Sequence, residues 1–169
     1  CLEYDDLKIF KNVVRAQYLD ILKEFKADPN ELRLPMEEYH KTHLSKTEDH
    51  DKAWAKKNRN LSKTAVSQLL STHFFKSLFD QISWCELLDG GGMGYPEITF
   101  RVCRPKPALD VGPLHCDSWF WVPENNLKMP EASFEIERIK FWFSLHNSKN
   151  STGFRYVKKS HLKDYNYTT

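Results

Sequence analysis

Pro96-Glu97-Ile98-Thr99-Phe100-Arg101-Val102-Cys103 is where the chain changes its period. Upstream, apolar residues recur every three or four positions. Here Ile98, Phe100 and Val102 alternate with Thr99, Arg101 and Cys103, the two-residue repeat of a strand with one buried face. Three later runs share the character. Leu114 to Val122 is strand-like, Ile139, Phe141, Phe143 and Leu145 alternate with Lys140, Trp142, Ser144 and His146, and Phe154 to Val157 closes the series. Helices first and strands afterwards, joined by loops without helical crossovers, predict an α+β chain whose mainly antiparallel sheet or barrel carries helices packed on it.

The helical part is explicit. Leu7, Phe10, Val13, Val14, Tyr18, Ile21, Leu22 and Phe25 mark one face of a helix from Asp5 to Phe25, which Asp28-Pro29-Asn30 is expected to end. A second long helix is expected after Ser62, its N-cap, because Val66, Leu69, Leu70, His73, Phe74, Leu78 and Ile82 keep the spacing. His73 on that face reads as a satisfied core histidine. Between the helices, Met36 to Lys63 holds five acidic and seven basic residues and reads as an exposed segment of short helices anchored by Trp54, with His40, His43 and His50 facing solvent. Asp89-Gly90-Gly91-Gly92-Met93-Gly94-Tyr95-Pro96 lacks the Lys-Ser/Thr of a phosphate-cradling loop and leads toward a strand, so it reads as a turn.

Composition sets outer bounds. In 169 residues, 25 Lys and Arg face 23 Asp and Glu, a net charge of +2 that gives no field for a dedicated nucleic-acid binder. An apolar fraction of 40% and an aromatic fraction of 14% supply a core for one domain, residues 1–169, divided into a helical region (1–95) and a strand region (96–169). No run approaches the roughly 20 apolar residues of a membrane helix, and Cys1-Leu2-Glu3-Tyr4-Asp5-Asp6 lacks the basic-then-apolar pattern of a signal peptide. Cys1, Cys85, Cys103 and Cys116 include no CxxC pair and read as reduced thiols, which together with the missing leader predicts a cytoplasmic location. The Asn-x-Ser/Thr triplets at Asn60, Asn150 and Asn166 then carry no meaning.

The chemistry-bearing motif is His115-Cys116-Asp117. In a strand its imidazole and carboxylate share a face and offer two metal ligands, with Cys116 on the other face. Seven histidines and 11 aspartates supply roughly half of one such pair by chance, so context must carry the argument. Phe100-Arg101-Val102-Cys103-Arg104-Pro105, then Pro113-Leu114-His115-Cys116-Asp117-Ser118-Trp119-Phe120, then Ile139 to His146, then Asn150-Ser151-Thr152-Gly153-Phe154-Arg155-Tyr156-Val157-Lys158-Lys159-Ser160-His161 lie in order over residues 97–163. These four segments resemble the phytanoyl-CoA dioxygenase-like branch of the Fe(II)/2-oxoglutarate oxygenases. They depart from it at Thr152 and at Lys158-Lys159, where the family commonly has Asn and Pro-Gly.

The resemblance implies a double-stranded β-helix of the jelly-roll or cupin type. It also implies a 2-His-1-carboxylate triad that leaves Fe(II) positions open for the cosubstrate 2-oxoglutarate and oxygen. His115 and Asp117 would be the iron ligands and the catalytic pair; Phe100, Cys116 and Arg101 would face 2-oxoglutarate; Trp119 and Trp142 would shape the pocket of a small organic substrate. Asp117 fits a hydroxylase and not a halogenase, because halogenating relatives carry Gly or Ala there. Phe100 equally suits core packing, Arg101 and Arg104 equally suit the surface, and Lys158, Lys159, Lys163 and Arg155 read as a solvated basic loop.

A second histidine and the Arg that pairs with 2-oxoglutarate are not found near these residues; His161 and His146 are weak substitutes. Four strands do not close a barrel of about eight, which predicts the N-terminal part of a longer protein with an incomplete core. The alternatives are a non-catalytic small-molecule binding module on such a barrel, or a metal-dependent isomerase or hydrolase. Substrate identity and oligomeric state are not legible in the sequence.

Overall fold

In the computed structural model, residues 3–82, 86–104, 110, 115, 139–146 and 156–163 are described. Helix α1 spans Tyr4–Glu24 and buries Phe10, Val13, Val14, Tyr18, Ile21 and Leu22, the face laid out by the sequence spacing. It stops before Asp28-Pro29. The Lys26 N–H donates to Lys23 O at 3.0 Å and the Ala27 N–H to Leu22 O at 2.9 Å, the paired bonds of a Schellman cap. Lys26 therefore takes a left-handed φ of 57°, a position where glycine is cheaper.

Short 3-10 helices at Glu31–Arg33, Met36–Lys41 and Leu44–Lys46 lead to α2 (Asp49–Ala53) and α3 (Lys56–Arg59). Gln17 of α1 ties the next linker down, its Nε2 donating to Asn58 O at 2.7 Å and Asn60 O at 2.6 Å while its Oε1 accepts from Ser62 N at 3.3 Å. Trp54 does anchor this region, 6% exposed and stacked on Tyr18 at 5.5 Å between ring centres.

Where one long helix was expected after Ser62, two occur: α4 (Lys63–Leu70) and α5 (His73–Gln81). Ser62 caps α4 as expected, accepting from Ala65 N. The break has a local cause. The Thr72 hydroxyl donates back to Leu69 O at 2.6 Å and accepts from Phe75 N, ending one helix and capping the next. The kink turns His73 outward, its side chain 70% exposed beside Glu3, so it is not a core histidine. Asp6 reaches across from α1 and accepts from His73 N and Phe74 N at 3.3 and 2.7 Å, a buried carboxylate against the positive end of α5.

The expected sheet is absent: among the described residues there is no strand, which removes the double-stranded β-helix, jelly-roll or cupin-like, as the fold. The run Ile98 to Cys103 forms a single antiparallel bridge, Thr99 with Asn60. Its backbone bonds go to the linker between α3 and α4, Leu61 N to Ile98 O at 2.9 Å and Phe100 N to Arg59 O at 3.1 Å. Residues 139–146 and Tyr156-Val157 are likewise not strands; Phe154 and all of Leu114 to Val122 except His115 lie outside the described residues. The alternation records an extended backbone with one apolar side, and here part of that side meets helices: Phe143 sits 5.5 Å from Phe10 and 5.1 Å from Phe74, while Ile139 and Phe141 are exposed. A ladder needs a second strand, which the two-residue period does not specify.

The glycine-rich segment is a turn, as expected. Asp89 accepts from Met93 N at 2.8 Å and Gly94 N at 2.6 Å, so the loop's own carboxylate takes the N–H groups that a phosphate would need. Gly92 and Gly94 have φ of 64° and 77°. Among the described residues no helix is long and apolar enough to cross a membrane.

Two substitutions test these local causes. Lys26→Gly should raise stability by about 0.5–1 kcal/mol in urea unfolding, by relieving the left-handed cap. Asp6→Ala should lower it by about 1–2 kcal/mol, because two N–H groups at the start of α5 lose their acceptor.

Candidate functional site

The densest polar constellation is built by the segment that looked solvated. Asp110, its side chain 4% exposed, is gripped by Arg104: Nε donates to Oδ2 at 2.9 Å, Nη2 to Oδ1 at 2.5 Å, and the Arg104 backbone N–H to Oδ2 at 2.7 Å. The same guanidinium reaches Ser45 O through Nη1 at 3.1 Å. Arg104 is thus spent on Asp110 and is not a free anion contact.

On the other side of Asp110 stands His50 of α2. Its Nε2 lies 3.6 Å from Asp110 Oδ2 and its Nδ1 lies 2.8 Å from the Tyr39 hydroxyl, which also receives a 2.7 Å bond from Trp54 Nε1. The indole N–H can only donate, so the Tyr39 oxygen accepts from it and the Tyr39 proton is left to donate to His50 Nδ1. That places the histidine proton on Nε2, facing Asp110. The 3.6 Å contact is longer than a hydrogen bond and acts electrostatically.

His50 is 5% exposed, a correction to its expected place in solvent. Helix α2 is short, and its buried side carries His50 and Ala53 with Trp54 just beyond, a spacing too brief for periodicity to reveal. Burial pushes the imidazole below its ordinary value and Arg104 pushes the same way, against Asp110 and Asp51. Burial pushes the Asp110 carboxyl up, but the bonds from Arg104 with the nearby His50 outweigh it, and the net direction is down. Burial also raises the Tyr39 phenol to about 12. The chain is therefore a neutral imidazole between a neutral phenol and a carboxylate already paired.

The residues singled out for chemistry scatter around this cluster. His115 is exposed and five residues beyond Asp110; Asp117, Cys116 and Trp119 lie outside the described residues. Phe100 is 8% exposed and packs edge-on against Trp54 at 6.0 Å, within the helical core. Arg101 is exposed; burial, and then the Arg101 charge, lower Arg59, whose buried Nε has no hydrogen-bond partner among the described residues. Trp142 is 51% exposed with Lys140 Nζ 5.8 Å from its ring centre. His146 pairs through Nδ1 with Glu37 at 3.1 Å and holds a buried Nε2 with no hydrogen-bond partner among the described residues. Such a carboxylate backing is common behind metal-binding histidines. Among the described residues, however, no three His, Cys, Asp or Glu side chains converge to hold a metal.

Sequence reading missed Tyr39, His50 and Asp110 as partners. The signal available was weak: an Asp followed five residues later by the histidine of a His-x-Asp motif, and an Arg six residues before that Asp.

The direction of the His50 shift fixes a pH dependence. A histidine held below its ordinary value of 6.5 binds fewer protons folded than unfolded. Its stabilising contribution is then full above that value and falls as pH drops below it, toward the depressed folded value. The Asp110 contribution has a separate window, lost as pH falls from the ordinary carboxylate value of 3.8 toward its lowered one. His50→Gln should flatten the stability loss below about pH 6.5, where a single histidine gives a slope of up to about 1.4 kcal/mol per pH unit. Urea unfolding at half-unit pH steps measures it, and equal slopes in both proteins would show that His50 is not the titrating group. Comparison of the chain with protein-family models, with curated proteins and with solved structures finds no match.

Proposed function

We propose that this chain supplies His115 and Asp117 as Fe(II) ligands in a 2-oxoglutarate-dependent oxygenase that hydroxylates a small organic substrate, releasing succinate and CO2. One observation carries the reading: the ordered set of segments around His115-Cys116-Asp117. The Arg104 to Asp110 clamp supports it, because Arg104 belongs to the first of those segments and Asp110 leads into the second, so a buried ion pair joins them. The reading rests on the residues alone.

The donor types suit the metal. An imidazole and a carboxylate hold Fe(II) without filling its coordination shell. Bound iron with 2-oxoglutarate would supply the oxidising chemistry; the chain's part is to hold the ligands and place the substrate. His115 is exposed, and so is Arg101, fourteen residues before it and two beyond the bridge at Thr99. The third ligand is not assigned.

Anaerobic titration with Co(II), an optical stand-in for Fe(II), should give visible absorption bands and a bound stoichiometry of about one. His115→Ala and Asp117→Ala should each weaken uptake at least tenfold, and Fe(II) plus 2-oxoglutarate should release succinate under oxygen only in the unsubstituted protein. Uptake unchanged in both variants would overturn the reading. Turnover without oxygen would move it to a metal-dependent isomerase or hydrolase.

A further inference from the structure

Asp110 stands five residues before His115 in the chain. Five residues span at most about 18 Å, so His115 is held within that radius of a buried carboxylate. Every contact on that carboxylate comes from the helical part of the chain or from the segment packed on it. Arg104 is itself bonded to Ser45 of the Leu44–Lys46 turn, and His50 of α2 is braced by Tyr39 and Trp54. A paired buried charge resists displacement, because moving it leaves Arg104 or Asp110 desolvated and alone. The exposed His115 has no burial of its own comparable to that of Asp110.

We propose that His50 and Asp110, with Arg104, are positioning residues: they form a latch that fixes Asp110, five residues before His115, to the helical core and so limits where His115 can be held. The consequence for metal affinity rests on the oxygenase reading; the latch itself does not. Other titratable groups facing His50 are Tyr39, Arg104 and Asp51.

Hydrogen exchange of the full chain, read over residues 111–118 by mass spectrometry, tests the latch directly. Asp110→Asn and His50→Leu should each speed exchange there about tenfold beyond Val66→Ala, a core variant in α4 that lowers stability without touching the latch. Should Asp110→Asn fail to fold, Arg104→Lys, which keeps the charge and loses the two-pronged bond, should give a smaller increase in the same segment. Equal rates in the latch variants and Val66→Ala, or a segment already unprotected in the unsubstituted protein, would overturn the proposal. Co(II) titration of the same samples separates the two claims. Uptake weakened about tenfold in Asp110→Asn supports both. No uptake by the unsubstituted protein, with the exchange difference intact, defeats the oxygenase reading and leaves the latch standing.

Discussion

A buried carboxylate imposes more on its surroundings than any apolar residue of the same size, because every one of its lone pairs must be answered. Asp110 is answered by a two-pronged guanidinium, a backbone N–H and an imidazole edge. Each partner is constrained in turn. Arg104 is fixed to Ser45 O, and His50 is fixed to a phenol that is itself held by an indole. The short helices between Met36 and Arg59 owe their arrangement to this chain of bonds and to the aromatic faces around it. Few of them are long enough to be stable from local hydrogen bonding.

The rest of the core divides into two aromatic groups along α1. Phe10 gathers Phe74, Phe75 and Phe143, while Tyr18 gathers Tyr39 and Trp54, with Phe100 against the indole. Gln17 lies between the two in sequence and spends its whole amide on backbone groups of the linker that also receives residues 98–100. The Tyr18 hydroxyl is the exception, buried without a hydrogen-bond partner among the described residues, and its phenol is pushed far above its ordinary value by burial. That ring serves by stacking and not by hydrogen bonding.

Legibility in the sequence followed the length scale of the signal. Helix α1 was readable because its apolar face repeats over five turns, and the Ser62 cap was readable because a hydroxyl before a helix has one common use. The split at Thr72 was not, since threonine is also tolerated within helices and only the bonds to Leu69 and Phe75 reveal its double role. The alternating run at Ile139 to Leu145 was legible as extended chain with an apolar side but misleading as a strand. Its partner is Phe10 and Phe74, and side-chain period carries no information about backbone partners. Of the candidate site, Phe100 was legible as apolar and buried, whereas the joint burial of Tyr39, His50 and Asp110 arises from contacts across up to 60 residues of chain.

By itself the sequence determined what depends on near neighbours: the amphipathic face of α1, the capped start of α4, the glycine turn closed by Asp89, and the His115-Cys116-Asp117 motif that motivates a metal. Tertiary structure alone decided which polar groups are removed from water and which extended segments find partners. Those outcomes depend on distant groups converging in space. A histidine in a charged stretch becomes a neutral buried link once Trp54, Tyr39 and Asp110 surround it, and an alternating run becomes helix cover once α1 and α5 present an aromatic face.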